Sequence, residues 1–401
     1  MDKHAEHLYE MLSQVVGYIY PNELDLQWGI LIVLYPYITG LVAGAFILAS
    51  LERVFNVKVL KPTYTIALLT AFSFLLVATL PLISHLGKPL RAIEIMVTPN
   101  GTSAMAIFGF IYIWYLMAVL LLELWFDYRR DMILWSQQKK GVLSFVYKVL
   151  SLGVTDISPK ALRWDERLGY FVTLIGIPSA FLLHGYVGFI FGSVKANPWW
   201  STVLMPVIFL FSAMVSGIAL VMVVYMTINY IRKTKIDMKC LKMVGRYLLI
   251  ALILDFSLES LDQIHRIYEA GESFEIISLL MSGKLFITLL VFQVLIGTII
   301  PLIVLTVLQF SKLREKLHQW LYMIIGIMVL FGIFFMRWNV VIGGQIFSKS
   351  FHGFTEFKLQ LIGAEGVIMA AVWMIIPLLI LTFLFWLFPP WKKVDEIVTP
   401  A

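Results

Sequence analysis

The sequence predicts an all-α membrane protein, a polytopic bundle of about nine transmembrane helices, with eight to ten compatible with the pattern. Two observations support this fold class. Sixty per cent of the 401 residues are hydrophobic and only 14% are charged, with a mean hydropathy of +0.88, a composition that a water-soluble core does not need. Apolar runs recur along the chain without the alternation of a β-barrel, so the spans are expected to be helices.

The individual helices follow from the length of these runs, because a hydrocarbon core about 30 Å thick requires roughly 20 apolar residues. Suitable runs lie at 28–50, 64–85, 104–126, 168–193, 203–230, 244–267, 278–309, 319–340 and 361–388. They form one transmembrane domain, 28–388, between an outer tail, 1–27, and a C-terminal tail, 389–401. Eight of the helices are compatible with two bundles of four, with one helix besides. We see no repeat that establishes this division.

The longest connection, 127–167, is basic, and its segment LSFVYKVLSLGV is amphipathic. This segment fits a helix that lies on the inner lipid headgroups. A solvated linker is an equally good interpretation, and the sequence does not decide between them.

The orientation follows from the basic residues. Counted by alternate loops, 22 of the 31 Lys and Arg residues lie on one side and nine on the other. The positive-inside rule makes the richer side cytoplasmic, so we expect the N-terminus outside and the C-terminus inside a cell inner membrane. The first 27 residues are acidic and contain no basic segment of the kind that begins a signal peptide, so we expect the first helix to be retained.

Composition also limits the cofactors and partners. The net charge of +6 is explained by topology, so we expect contact with membrane lipid and no nucleic acid. A single cysteine, Cys240, can neither form a disulfide within the chain nor ligate an iron–sulfur cluster by itself. We expect no metal site and no covalent cofactor here, so any iron–sulfur cluster must belong to a partner subunit.

Costly polar residues are concentrated in the outer half of the predicted helices. Ionisable groups inside a membrane are candidates for function until a structural reason is found. Seven such groups, from five helices, are expected to share one partly wet pocket: His85, His184, Tyr186, Glu259, Asp262, Arg337 and Glu365. His, Tyr and carboxylate groups exchange protons while neighbouring apolar residues accept a lipid-soluble ring, a combination that suits a quinone. We assign quinone binding to His85, His184, Tyr186, Arg337 and Glu365.

Structural alternatives exist for several of these residues. Tyr186 alone is more typical of an interface tyrosine. Arg337 and Glu365 are equally compatible with an ion pair between helices. His85 and His184 form the one plausible pair of axial ligands, so a single haem on the outer side stays open, whereas two haems across both leaflets are excluded by the lack of inner histidines.

A second group, on helix 6, is predicted to transfer protons. Asp255, Glu259 and Asp262 are spaced by four and three residues, which places them on one helical face. Three like charges there are costly, so we expect Asp255 to stay protonated unless a cation pairs with it. The alternative is that Arg246, Arg266 or Lys284 pairs with these carboxylates and only ties helices together.

Several segments resemble the NrfD-type family of quinone-interacting membrane subunits, which is related to polysulfide reductase. They are YPYITGLVAGAF, HLGKPLRAIEIMVTPNGTSAM, LLHGYVGFIFG, MPVIFLFSAMVSG and MRWNVVIGGQ, the last at 336–345. The form RWNVVIGGQ is most similar to the DsrP and HybB branch. The resemblance implies that the family's quinone-site tyrosine corresponds to Tyr186. It also implies that the family's acidic position corresponds to His85, a departure that leaves the proton-accepting group open.

The resemblance further implies a subunit that is not catalytic alone. Such a subunit binds menaquinone or another quinone and exchanges electrons with a ferredoxin-like iron–sulfur subunit on the outer face, with further redox subunits such as cytochromes. The alternative is a secondary transporter or ion-pumping subunit, favoured by the acidic residues of helix 6 and by prolines within the helices. A neighbouring gene with four clusters of ferredoxin-type cysteines would favour the first function, and its absence the second.

Overall fold

The computed structural model describes residues 15–98, 100–271 and 273–391, and these contain nine long helices. The helices are α1 (Ile30–Arg53), α2 (Lys58–His85), α3 (Ala104–Gln138), α4 (Pro159–Gly192), α5 (Met205–Ile231), α6 (Met238–Glu269), α7 (Phe286–Phe310), α8 (Glu315–Ile346) and α9 (Val367–Leu387). All but α6 are long and apolar enough to cross a membrane. Helix α6 has 32 residues, about 48 Å of helix, but carries more charge. The predicted all-α bundle is therefore confirmed.

Four of the long helices are composite. Helix α2 has a 3₁₀ turn (Lys58–Leu60) and α-helical parts Lys61–Ala78 and Leu80–His85, and α8 has parts Glu315–Val341 and Gly343–Ile346. Helix α3 contains a π-helical stretch (Trp114–Leu121) between Ala104–Ile113 and Leu122–Gln138, and α7 begins with another (Phe286–Ile299) before Ile300–Phe310. A short helix, Pro21–Glu23, precedes α1, and the short helices Pro89–Ile93, Glu94–Val97, Val142–Leu150 and Phe274–Ser282 lie in the connections between the long helices. π-Helical stretches are rare and often occur near functional sites.

The predicted long connection is mostly helical. Helix α3 continues to Gln138, and α4 begins at Pro159, where the Ser158 side chain caps the helix by accepting from the backbone N–H of Ala161. Only 139–158 remain as a connection, with helix Val142–Leu150 inside it. The hydroxyl of Tyr147 donates to the carbonyl of Leu387 at 2.7 Å. The segment is thus a helix that packs against the bundle.

The loops separate onto two ends of the bundle. One end, the N-terminal face, carries β1 (Val16–Tyr18) paired antiparallel with β2 (His352–Phe354). The opposite end is the basic face. There Nη1 of Arg53 forms an ion pair with Oδ1 of Asp127 at 2.9 Å, and the hydroxyl of Tyr128 donates to the carbonyl of Phe388 at 3.0 Å. Loops that were expected to share one side of the membrane thus lie together. Which face is cytoplasmic stays a prediction.

Small residues bring the central helices into backbone contact. A Cβ added to Gly44 of α1 would overlap the carbonyl of Ala213 and the backbone of Gly217 on α5. Gly297 of α7 and Gly332 of α8 approach each other in the same way. Such contacts are typical of membrane helices, which associate by close packing. Helix α1 therefore lies deep in the bundle, where it also contacts α2, α4 and α8.

Candidate functional site

A buried arginine lies at the centre of the polar residues. Arg337 on α8 has no exposed surface and is the largest fully buried side chain among the described residues. Its Nη2 donates to Ser212 Oγ at 2.6 Å and to the carbonyl of Phe209 at 3.3 Å, and lies 3.0 Å from His184 Nε2. The guanidinium carbon lies 3.9 Å from the centre of the Phe209 ring. A positive charge is thus held where α4, α5 and α8 meet.

The contacts of His184 fix its tautomer. Because a guanidinium only donates, Nε2 of His184 accepts from Arg337, and Nδ1 carries the proton. Nδ1 lies 3.4 Å from Oγ1 of Thr39, which itself donates to the carbonyl of Tyr35. Both ring nitrogens are therefore engaged within the protein. His85 has a different partner, described below, so the two histidines considered as haem ligands belong to separate polar groups.

Two of the three α6 carboxylates, Asp255 and Glu259, form no ion pair among the described residues. Glu259 accepts from Nε2 of Gln293 at 3.1 and 3.3 Å, and Oε1 of Gln293 accepts from Nδ2 of Asn339 at 2.8 Å. Asp255 is 3% exposed, and its Oδ1 has no hydrogen-bond partner among the described residues. Among the residues that the structure describes, Arg246 forms no ion pair with Asp255 or with Glu259. Asp255 is therefore not explained as one half of a structural ion pair.

The third carboxylate, Asp262, has a structural explanation. Its Oδ2 accepts from Nε of Arg266 at 2.9 Å, and its Oδ1 accepts from the hydroxyl of Thr202 at 2.6 Å. Lys284, the other cation considered from the sequence, pairs with Glu356 instead. The ion-pair alternative thus describes Asp262 and Arg266 well. It does not extend to the rest of the α6 face.

The carboxylates of α6 face the arginine of α8 without contacting it. Asp255 and Glu259 are close enough to Arg337 for electrostatic interaction. Within the described part of the chain, neither forms an ion pair with it, and Nε of Arg337 has no hydrogen-bond partner. Because neither carboxyl is held in a salt bridge with Arg337, each can gain or lose a proton without breaking an ion pair. A direct salt bridge would oppose such a change of protonation.

A cavity of about 280 Å³ opens between α6, α7 and α8 beside these groups. Its wall is mainly apolar, with a few polar groups that include Glu259, Asp262, Gln293 and Asn339. It is not lined by His85, His184, Tyr186 or Glu365. Its size and lining suit a small apolar ligand or a group of waters in contact with the α6 carboxylates.

His85 and Glu365 form a separate pair at the N-terminal face. Nδ1 of His85, at the end of α2, lies 2.5 Å from Oε1 of Glu365, just before α9, and the side chains are 19% and 40% exposed. Gly29 leaves room for the carboxyl, since a Cβ there would lie 2.9 Å from Oε2. An ion pair between Arg337 and Glu365 is therefore wrong, because the carboxyl lies at the bundle edge and the arginine in its interior. Nε2 of His85 has no partner in the described residues.

Tyr186 lies apart from both groups. It follows His184 by two residues on α4, a rotation of about 200° around the helix, and it packs against Phe189 with ring centres 5.5 Å apart. The seven residues expected in one pocket thus fall into separate groups. Their neutral partners were not predicted, because only ionisable residues were considered as candidates. Uncharged polar residues within apolar runs are the signal that identifies these partners, which are Thr39, Ser212, Gln293 and Asn339.

The sequence is similar to one family model and to several known proteins. The family model described as "Polysulphide reductase, NrfD" matches residues 21–349. The chain is 30% identical over 339 residues to a selenate reductase subunit of Mesobacillus selenatarsenatis, covering 80% of this chain and 74% of the relative. It is 28% identical to a putative dimethyl sulfoxide reductase membrane subunit of Halobacterium salinarum, over 49% of this chain and 42% of the relative. It is also 28% identical to the protein NrfD of Escherichia coli, over 50% and 59%.

Proposed function

Since this chain belongs to the NrfD family of polysulphide reductase membrane subunits, we propose that it is the membrane subunit of a respiratory redox complex. In this proposal it binds a quinone at the N-terminal face and exchanges electrons with an iron–sulfur partner there. The relatives whose names describe subunits of selenate and dimethyl sulfoxide reductases support a complex of this class. The N-terminal face would then be the outer face.

The His85–Glu365 pair is the observation that carries the quinone proposal. Nδ1 of His85 donates to Glu365, which orients the imidazole, so Nε2 of the neutral ring is left to accept from the hydroxyl of a quinol, and the partly exposed carboxyl can exchange protons with water. Leu86 and Ile368 beside the pair are exposed apolar residues that suit a ring and its isoprenoid tail. A bound quinone would supply two carbonyl oxygens that take up protons as electrons arrive. These residues therefore fit such a ligand.

The remaining proposed quinone residues act from further away. Arg337 and His184 are fully buried, so they are better suited to stabilise negative charge in the bundle than to touch a ligand at its edge. Tyr186 is half-buried on another side of α4. Its substitution tests whether it contacts the quinone or is an interface tyrosine. The family resemblance assigns it to the ligand, and its place in the fold favours an interface role.

The partner proposal rests on cysteine content and on the N-terminal face. One buried cysteine, Cys240, cannot hold a cluster, so the electrons must reach this chain from another protein. The connection between α2 and α3 exposes Leu90, Ile93 and Val97 at 85%, 66% and 73%. Exposed apolar residues in a polar loop are typical of a protein interface. We assign this surface to a ferredoxin-like iron–sulfur subunit.

Proton movement is a second candidate function, and Asp255 is the observation that favours it. A buried carboxyl whose Oδ1 lacks a partner among the described residues, near Arg337 and the cavity, is suited to gain and lose a proton. This activity is compatible with quinone chemistry in the same subunit. A transporter without quinone chemistry is the alternative, and quinol turnover separates the two.

The test uses the purified complex and a soluble quinol analogue. The His85→Ala replacement removes the hydrogen-bonding atom Nε2, a loss of about 1 to 3 kcal/mol that weakens quinol binding by about ten- to a hundredfold. Tyr186→Phe tests the residue that the family resemblance assigns. His265→Ala is the matched control, because His265 is an exposed histidine at the same face that pairs with Glu269. Unchanged quinol turnover in the His85 and Tyr186 variants, with assembled complex, would overturn the proposed site.

A further inference from the structure

The half of the bundle near the basic face contains a second polar group, centred on Glu123 of α3. Glu123 is fully buried, although its apolar run ends only three residues later. Its Oε1 accepts from the hydroxyl of Thr173 on α4 at 2.7 Å and from the hydroxyl of Tyr64 on α2 at 3.4 Å. Its Oε2 has no hydrogen-bond partner among the described residues.

A hydrogen-bonded chain joins this carboxyl to the surface. The hydroxyl of Tyr64 also lies 3.5 Å from Oδ1 of Asp127, and Nη1 of Arg53 donates to the Tyr64 oxygen at 2.5 Å and to Asp127 at 2.9 Å. The side chains of Asp127 and Arg53 are 12% and 13% exposed. Asp127, Tyr64 and Glu123 thus form steps from the water at the basic face to a fully buried carboxyl.

The helices around this chain of hydrogen bonds fix the positions of its side chains. A Cβ on Gly169 of α4 would overlap the guanidinium of Arg53, so the glycine provides the space that the arginine occupies. The charged and titratable groups facing Glu123 are Arg53 of α1, Tyr64 of α2, and Tyr115 and Asp127 of α3, while α4 contributes the neutral Thr173. Helices α1 to α4 therefore all contribute to one site.

We propose that Glu123 is a proton-exchange site that opens to the basic face through Tyr64 and Asp127. A proton from water first binds Asp127. Tyr64 then accepts it while its own hydroxyl proton passes to Glu123, and no electrons are exchanged. The carboxyl of Glu123, which receives the proton at Oε1, stores it, because a buried carboxylate whose Oε2 has no donor among the described residues is costly to ionise in this setting. Arg53 stabilises the phenol oxygen during the transfer.

The site lies far from the quinone residues. Thr173 and His184 are eleven residues apart on α4, about 16 Å, and His184 belongs to the interior group on the other side. Glu123 would therefore exchange protons with water at the basic face, while His85 and Glu365 exchange protons at the N-terminal face. Only this coupling to turnover rests on the proposed function. Proton exchange at Glu123 does not.

The first experiment uses the full chain in lipid nanodiscs and dicyclohexylcarbodiimide, which reacts with protonated carboxyls in apolar surroundings. We expect an adduct at Glu123 by peptide mass spectrometry, and none there in Glu123→Gln. In infrared spectra, Tyr64→Phe and Asp127→Asn should slow deuterium exchange of the Glu123 carboxyl by about tenfold or more. Glu52→Gln is the matched control, since Glu52 is a mostly buried carboxylate at the same face that pairs with Lys58.

No adduct at Glu123, or equally fast exchange in the Tyr64 and Asp127 variants, would overturn the proposal. The second experiment reconstitutes the complex in vesicles and measures proton uptake from the side of the basic face during quinol turnover. Glu123→Gln is expected to reduce that uptake per electron by about tenfold while turnover with an uncoupler is unchanged. Unchanged uptake would remove the coupling role. If the wild-type complex shows no quinol turnover, the proposed function fails, and the labelling and exchange results still decide the role of Glu123.

Discussion

At the scale of single residues, Arg337 organises the interior. A buried guanidinium is tolerated when its donors are satisfied, and here neutral acceptors from α4 and α5 satisfy several of them. The carboxylates on α6 remain near but unpaired. This arrangement keeps a positive charge available beside the carboxyls that we propose exchange protons, and a direct salt bridge with Asp255 would neutralise that charge.

Asp255→Asn tests whether this carboxyl carries protons. The amide keeps the shape of the side chain but cannot bind and release a proton, so proton movement per electron should fall while electron entry from the partner is nearly unchanged. Reconstituted vesicles with a pH-sensitive dye measure the first quantity, and reduction of the iron–sulfur partner the second. Asp262→Asn is the comparison, because loss of its pairing with Arg266 and Thr202 should lower thermal stability without changing the proton ratio. An Asp255→Asn variant with normal rate and proton ratio would make Asp255 structural.

The residue scale also limits what the sequence could predict. Depth in the membrane identified His85, His184, Asp255 and Arg337 as unusual, because an ionisable side chain in an apolar run is visible in the sequence alone. Which of them meet depends on the rotation of each helix about its axis. That rotation is set by packing at contacts such as Gly44 with Gly217, and no single run of residues specifies it.

At the scale of elements, the close contact of α1 and α5 predicts that a larger side chain at the contact lowers the stability of the protein. A methyl group at Gly217 would overlap the backbone of Gly44 and Ala45, so Gly217→Ala should separate the two helices and destabilise the protein by about 1 to 3 kcal/mol. Thermal unfolding in detergent measures this change. Gly101→Ala is the control, because a Cβ there meets nothing within 4 Å. Equal melting temperatures for both variants would contradict the packing described for α1 and α5.

The segment before α1 is expected to respond to pH through Glu23. Burial opposes ionisation of this carboxyl, but hydrogen bonds from Ser348 and Lys349 and the charge of Lys349 outweigh it and lower its pKa. The stabilisation is therefore present above the ordinary pKa of a glutamate and is lost as the pH falls through the lowered value. Glu23→Gln should mimic acid and speed amide exchange in residues 15–29. Asp25→Asn, an exposed neighbour, should leave exchange unchanged, and protection retained in Glu23→Gln at acid pH would refute this role.

Element boundaries show which local signals were sufficient. Lengths of apolar runs located nine helices, but α3 and α4 are longer than predicted because polar residues continue these helices beyond the apolar run. Helix α3 extends to Gln138 and α4 starts at Pro159, where charged residues continue the same turns. Conversely, Gly283 separates helix Phe274–Ser282 from α7, so the predicted span 278–309 is two elements.

At the scale of the whole molecule, the separation of the two faces makes the orientation testable. Cys240 is buried, so an added cysteine at an exposed loop position should be the reactive one. Asn100→Cys and Ala196→Cys should react with an impermeant maleimide from outside the cell, and Lys140→Cys only after permeabilisation. Asn197 itself is buried and donates to the carbonyl of Gly344, so its exposed neighbour is the better probe. Labelling of Lys140→Cys in intact cells would reverse the orientation.

The charge of α6 also bears on how the chain enters the membrane during synthesis. A charged residue at the centre of a helix raises the free energy of insertion by about 2.5 to 3.5 kcal/mol, and α6 contains Asp255, Glu259 and Asp262. The groups that interact with Asp255 and Glu259 are Gln293 and Arg337, which lie on α7 and α8 and are translated later. A nascent chain ending at residue 269 should therefore leave α6 at the translocon or the lipid surface, and α6 should enter the bilayer only when α7 and α8 have emerged from the ribosome.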